Sequence, residues 1–248
     1  MDKFKMIKFF EERFQSLFLE DFYCIADYCG SSDGTAQRDH LEKLRNIVKA
    51  QEAKCGCSKA VFFFDELPSF VVKVPFFGQT FEYWDDVSEQ YYISDNVEEF
   101  YGADYLLSEN GIYTENNWDY CATEASIYSY AKLNKIEFFF AKTEYMCTIN
   151  DIPIYLSEKA SECKWEYGKV LYPSVKCKSI IEKYQNTFDR RPQIPNYIIE
   201  EMLKSYSQKE TEDFIFFLQN SSITDLHDEN WGIINNKIKI IDYSDFED

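Results

Sequence analysis

Ile223-Thr-Asp225-Leu-His227-Asp-Glu-Asn230-Trp-Gly232, followed by Ile233-Ile-Asn235-Asn236-Lys237-Ile-Lys-Ile-Ile-Asp242-Tyr-Ser244, is the stretch on which the reading of this chain turns. Asp225 and Asn230 stand five apart in a polar loop, and Asp242 follows Asn230 by twelve residues at the end of an apolar run. Asn235-Asn236 between two apolar segments predicts a two-residue hairpin turn. The second strand then folds back on the first and carries Asp242 toward the loop of Asp225 and Asn230. Two oxygen donors and a separate carboxylate converge. Such a set suits Mg2+, which takes a few protein oxygens together with phosphate oxygens. It leaves one carboxylate to orient or deprotonate an attacking hydroxyl. An ordinary polar hairpin that carries acids fits the same residues.

The spacing resembles the catalytic core of protein-kinase-like phosphotransferases, whose loop D-x-x-x-x-N precedes a hairpin and the Asp of D-F-G. Here the parts are Asp225-Leu-His-Asp-Glu-Asn230 and Asp242-Tyr-Ser244. The form Asp-Leu-His-x-x-Asn-x-Gly is also similar to the loop of small-molecule kinases and of bacterial or phage kinase-like proteins. Ile223-Thr224 replaces the usual His-Arg, and Ser244 replaces the Gly of D-F-G.

The resemblance extends upstream. Gly56-x-Ser58-Lys59-x-Val61 resembles a reduced glycine-rich loop, with Gly56 alone of the usual three glycines. Phe70-Val-Val-Lys73-Val-Pro75 reads as a strand, and Val71-Val-Lys73 resembles the strand whose Lys holds phosphates. A Lys pointing inward from an apolar strand requires an anionic partner; the same Lys pointing outward would be an ordinary solvated residue. Asn117 to Ala131 reads as a helix, with Ala122, Ala125 and Ala131 favouring it. Its Glu124 shares a face with Tyr120, Ile127, Tyr128 and Ala131, and a carboxylate there needs a cation. Lys73 is the natural candidate, and Glu82 is the rival carboxylate.

The resemblance implies a two-lobed α+β fold: a helical N-terminal extension over 1–52, a β-rich N-lobe over 53–160 and a reduced helical C-lobe over 161–248. It implies ATP and Mg2+ as cofactors. Gly56, Ser58 and Lys73 would hold phosphates, Glu124 would position Lys73, Asn230 and Asp242 would ligate the metal, and Asp225 would orient a protein or small-molecule acceptor. Only Tyr243–Asp248 follow Asp242, which leaves no room for an activation segment. A pseudokinase, with the same fold kept as a binding module, is therefore the alternative.

Composition bounds the rest. The chain has 248 residues, 45% of them hydrophobic and 18% aromatic. That is enough for one large or two small domains with a sizeable core. Its net charge of -18 argues against a nucleic-acid partner, whose backbone would need basic neutralisation. No apolar run is long enough to cross a membrane, and Met1-Asp-Lys-Phe-Lys lacks a signal-peptide core. The expectation is a soluble, cytoplasmic chain. Among eight cysteines only Cys55 and Cys57 are close, with a one-residue gap, and His40 and His227 are the only histidines. Reduced thiols fit this better than a zinc site.

Phe4, Ile7, Phe10, Phe14, Leu17 and Phe18 predict an amphipathic helix broken by Gly30–Gly34, and Leu41, Leu44, Ile47 and Val48 predict a second. Residues 78–116 form an acidic, aromatic insertion, read as a lid, a partner surface, a small helical insertion or a solvated face. Lys135–Ala141, Glu144–Ile149 and Ile152–Leu156 read as strands, with Asn150-Asp151 as a turn; Ser157–Ala160 falls in order where the resemblance implies a hinge between lobes whose backbone meets an adenine, and a plain exposed loop fits it as well. Helices are expected over 195–206 and 210–218.

Overall fold

The computed structural model describes residues 2–22, 35–56, 59–76, 81–85, 90–94, 119–165, 172–185, 194–220, 223 and 226–243. The fold class is α+β. The chain divides into two compact units, one formed by Met1–Ala125 with Thr143–Ser157 and the other by Ser126–Lys142 with Glu158–Asp248.

The first unit is built on a five-stranded sheet. Its strands are β1 (Glu52–Cys55), β2 (Lys59–Phe63), β3 (Phe70–Pro75), β6 (Thr143–Ile149) and β7 (Ile152–Glu158), in the order β1-β2-β3-β7-β6. The pairs β1/β2, β2/β3 and β6/β7 are antiparallel. β4 (Phe81–Asp85) and β5 (Gln90–Ser94) form a separate antiparallel hairpin within the acidic insertion; the rest of that insertion lies outside the described residues. Asn150 and Asp151 make the β6–β7 turn, both at positive φ, 48° and 65°. Their short polar side chains tolerate that region, which is why the pair predicts a turn.

Period-2 alternation sorts the sheet into two faces. Ala60, Phe62, Val72, Val74, Ile152, Ile154 and Leu156 share one core with Phe10, Phe14, Leu17 and Phe22 and with Leu41, Leu44 and Val48. Those residues come from helix α1 (Lys3–Phe14), the turn after it, and helix α2 (Thr35–Val48). The two N-terminal helices therefore cover one face of the sheet and complete its core. Phe14 and Phe22 meet Phe62 edge-on, and Phe9 meets Phe64 in the same way, a geometry that aromatic rings prefer. α1 is shorter than its apolar stripe. Beyond Phe14 the Asn150 side-chain amide donates to the carbonyls of Gln15 and Leu17, at 2.9 and 2.8 Å. The β6–β7 turn thus satisfies carbonyls of the C-cap residue and of the segment that follows the helix.

Helix α3 (Tyr120–Leu133) begins in the first unit and ends in the second. The second unit gathers around Phe139, Phe140, Phe214, Trp231 and Tyr243. Helices α4 (Val175–Gln185), α5 (Asn196–Ser205) and α6 (Gln208–Asn220) contribute to it, as does a small sheet. That sheet has strands β8 (Ser161–Glu162), β9 (Trp231–Ile234) and β10 (Lys237–Ile240), in the order β10-β9-β8. The expected strand over Lys135–Ala141 is instead a short 3-10 helix, Glu137–Phe139. The reason is burial. Phe139 and Phe140 are both fully buried, and a strand would turn one of two successive side chains away from the core. No helix among the described residues is long and apolar enough to cross a membrane.

Candidate functional site

The sheet face opposite α1 and α2 carries two lysines. β2 and β3 pair with Val61 opposite Lys73 and Lys59 opposite Pro75, so Lys59 and Lys73 are diagonal neighbours on that face. Both are almost wholly buried. Lys59 is 3% and Lys73 5% exposed, and between them stands Glu124 of α3 at 0%. Lys73 Nζ donates to Glu124 Oε2 at 2.6 Å and Lys59 Nζ to Oε1 at 2.9 Å. Thr143 at the start of β6 donates its hydroxyl to Oε2 at 3.2 Å and lies 3.0 Å from the Ser157 hydroxyl on β7. Both carboxylate oxygens are thus engaged, as a buried charge requires. One carboxylate fixes two ammonium groups as point charges, an arrangement suited to receiving an anion.

Glu124 is placed by the start of its helix. Asp119, just before α3, accepts the Ala122 N–H at 2.8 Å, the N-terminal cap expected of an aspartate. Its other oxygen accepts the Tyr155 hydroxyl from β7 at 2.6 Å. Burial holds the Asp119 carboxyl above its ordinary range, against the lowering effect of the Tyr155 hydroxyl and the helix N–H groups, with the nearby Glu124 charge adding to the rise. Burial also pushes the Tyr155 hydroxyl and the Cys121 thiol upward. Gly56 follows β1, and its N–H donates to the Lys59 carbonyl at 3.3 Å. A side chain built at Gly56 would meet nothing within 4 Å among the described residues. Ser58 lies outside the described residues.

In the second unit the hairpin forms as its sequence predicts. Lys237 pairs with Ile234 across the turn. Asn235 and Asn236 sit at φ 52° and 60°, as a tight turn of the primed type requires. β10 returns along β9, and the Ile241 and Asp242 N–H groups both donate to the Asn230 carbonyl, at 2.7 and 3.4 Å. Asn230 and Asp242 therefore occupy one corner of the fold. Trp231 Nε1 donates to the Leu226 carbonyl at 3.3 Å and ties the loop to the core. Gly232 has a steric reason: a Cβ there would collide with that of Ala160. Tyr243 is buried, donates its hydroxyl to the Ala141 carbonyl at 2.8 Å and packs edge-on against Phe140. Asp225 lies outside the described residues.

The backbone brings residues Asn230 and Asp242 to one corner, and an amide and a carboxylate are residue types whose oxygens Mg2+ accepts when phosphate oxygens complete its shell. Among the described residues no group of three or more His, Cys, Asp and Glu side chains gathers to hold a metal by itself. Lys73 and Glu124 meet as their residue types predict. Lys59, Thr143, Ser157 and the Asp119–Tyr155 pair join the site without having been assigned to it by sequence. Lys59 has a readable signal, because the alternation Ala60, Phe62, Phe64 leaves it on the opposite side of β2. Thr143 and Ser157 have none.

The chain matches no family model, and neither the curated proteins nor the solved structures yield a match.

Proposed function

We propose that the chain is an ATP- and Mg2+-dependent phosphotransferase of the protein-kinase-like superfamily, with a β-rich N-lobe, a reduced helical C-lobe and an N-terminal helical extension. The observation that carries this reading is the buried contact between Lys73, in the middle of β3, and Glu124, on the helix that follows the insertion. A strand lysine held by a helix glutamate is the pairing on which phosphate positioning depends in that superfamily. The hairpin that returns Asp242 to Asn230 supports it independently, because it lies in the expected order downstream.

On this reading Lys73 holds nucleotide phosphates and Glu124 keeps its ammonium in place. Asn230 and Asp242 hold Mg2+, with Asp242 the stronger ligand because it brings a full charge. Bound Mg2+ supplies neutralisation of phosphate charge. Asp225 orients the acceptor hydroxyl, of a protein or a small molecule, and takes up its proton. A second reading keeps the fold as a nucleotide- or protein-binding module with little turnover. It is favoured by Ser244 in place of Gly and by a phosphate loop that keeps Gly56 alone of three glycines.

A thermal-shift titration of ATP with and without Mg2+ tests both readings. Ligand at ~100-fold excess over its dissociation constant stabilises the folded chain by about 2.7 kcal/mol. Asp242→Ala removes the Mg2+-dependent part of the shift. Asp225→Ala retains the shift and loses turnover. Binding without turnover in the wild type selects the second reading, and equal loss of the shift in both variants contradicts the separate roles.

A further inference from the structure

We infer that Lys59 is a second phosphate-binding lysine and shares with Lys73 the task of holding the nucleotide; this rests on the nucleotide reading above. The burial and the contact with Glu124 that mark Lys73 mark Lys59 as well. Both lie on the same face of adjacent strands, at diagonal positions in the β2/β3 register. Both are almost wholly buried, and each donates to its own oxygen of the one Glu124 carboxylate. Their ammonium groups are therefore gathered on a single carboxylate. The geometry offers no ground for giving the phosphate role to Lys73 alone.

Position strengthens the case for Lys59. It is the first residue of β2, and its carbonyl accepts the Gly56 N–H. On the nucleotide reading, the sequence that resembles a glycine-rich loop keeps Gly56 alone of three glycines. A lysine three residues after that glycine supplies positive charge where backbone N–H groups of a fuller glycine loop would otherwise act. Two ammonium groups side by side also match a polyphosphate, which presents oxygens on successive phosphorus atoms.

The test compares ATP·Mg2+ affinity in the wild type, Lys59→Met, Lys73→Met and the double variant, with the unliganded melting temperature of each recorded. Each single variant should bind on the order of tenfold more weakly, the loss of one charge-assisted contact, and the double variant should not bind. A Lys59→Met protein with wild-type affinity, beside a weakened Lys73→Met, overturns the inference and leaves the nucleotide reading standing. A wild type that does not bind ATP removes the nucleotide reading and this inference with it. If the variants fail to fold, labelling of the wild type decides. An acyl-phosphate derivative of ATP transfers its acyl group to a lysine amine near the phosphates; the amide bond forms as the carbonyl–phosphate bond breaks, and ATP departs. Acylation of both Lys59 and Lys73, suppressed by excess ATP, supports the inference. Acylation of Lys73 alone, or of neither, overturns it.

Discussion

The lysine-bearing face of the five-stranded sheet and the corner at the end of β10 are held by different means. On the sheet face, side chains do the holding. Lys59, Lys73, Glu124, Thr143 and Ser157 come from five separate elements and meet through side-chain hydrogen bonds, most of them to one charge. At the corner the backbone does it: a local hairpin brings the Asp242 and Ile241 N–H groups onto the Asn230 carbonyl. The first arrangement should be broken by removing a charge, and the second by adding bulk or forbidding a turn.

The largest effect should follow from Glu124→Ala. Two buried ammonium groups would lose the carboxylate they share, and breaking a buried pair typically costs about 3–5 kcal/mol. Urea denaturation would show this as a lower midpoint. Glu124→Gln keeps the shape and an acceptor and should recover part of the loss; a loss in Gln equal to that in Ala would mean that packing and hydrogen bonding matter less than the charge itself. At the corner, Gly232→Ala drives a methyl group into the Ala160 side chain. Overpacking of that kind costs about 1–3 kcal/mol. A neutral result would show that β8 can move aside. Asn236 adopts a φ of 60°, which asparagine tolerates and alanine does not. Asn236→Ala should therefore cost about 1–2 kcal/mol. Neither corner variant should respond to salt differently from the wild type.

The smallest effect is a change of slope. Burial raises the folded-state Asp119 carboxyl above its ordinary 3.8. The folded chain therefore holds that proton more tightly than the unfolded chain. Stability from this group is full below the ordinary aspartate value and falls as pH rises through the raised folded value. Asp119→Asn cannot ionise there and keeps one oxygen, which can accept from the Tyr155 hydroxyl or from the Ala122 N–H but not from both. Its stability, followed by urea midpoints over an acidic pH series, should vary less across that window than that of the wild type. An unchanged slope would mean that Asp119 is not the group responsible.

The same contrast explains what can be read from sequence. The corner is legible because its determinants are local: Asn235 and Asn236 between apolar runs specify both the turn and the register. The β6–β7 turn at Asn150-Asp151 is legible for the same reason. Glu124 is legible because a carboxylate on an apolar helix face demands a cation. The alternation along β2 sets Lys59 on the face away from Ala60 and Phe62, but its partner comes from the β2/β3 register and from where α3 docks, and neither is a local property. Thr143 and Ser157 are ordinary strand residues until β6 and β7 are paired. The three phenylalanines at 138–140 mislead for a physical reason. An apolar run of that length suits a strand or a buried turn equally. Only the second unit's core, which buries both Phe139 and Phe140, decides between them.

Every role proposed for Lys73, Asn230 and Asp242 depends on ATP binding through a metal-dependent site that includes Lys73. Calorimetric titration of ATP into the wild-type protein, once with Mg2+ and once with a chelator present, decides the matter. One nucleotide should bind per chain, clearly more tightly with Mg2+ than without, and more weakly in Lys73→Met. No binding heat at millimolar ATP under either condition, or an affinity indifferent to both Mg2+ and Lys73, would contradict the phosphotransferase reading and the nucleotide-binding form of the module reading, and would leave only a protein-binding module.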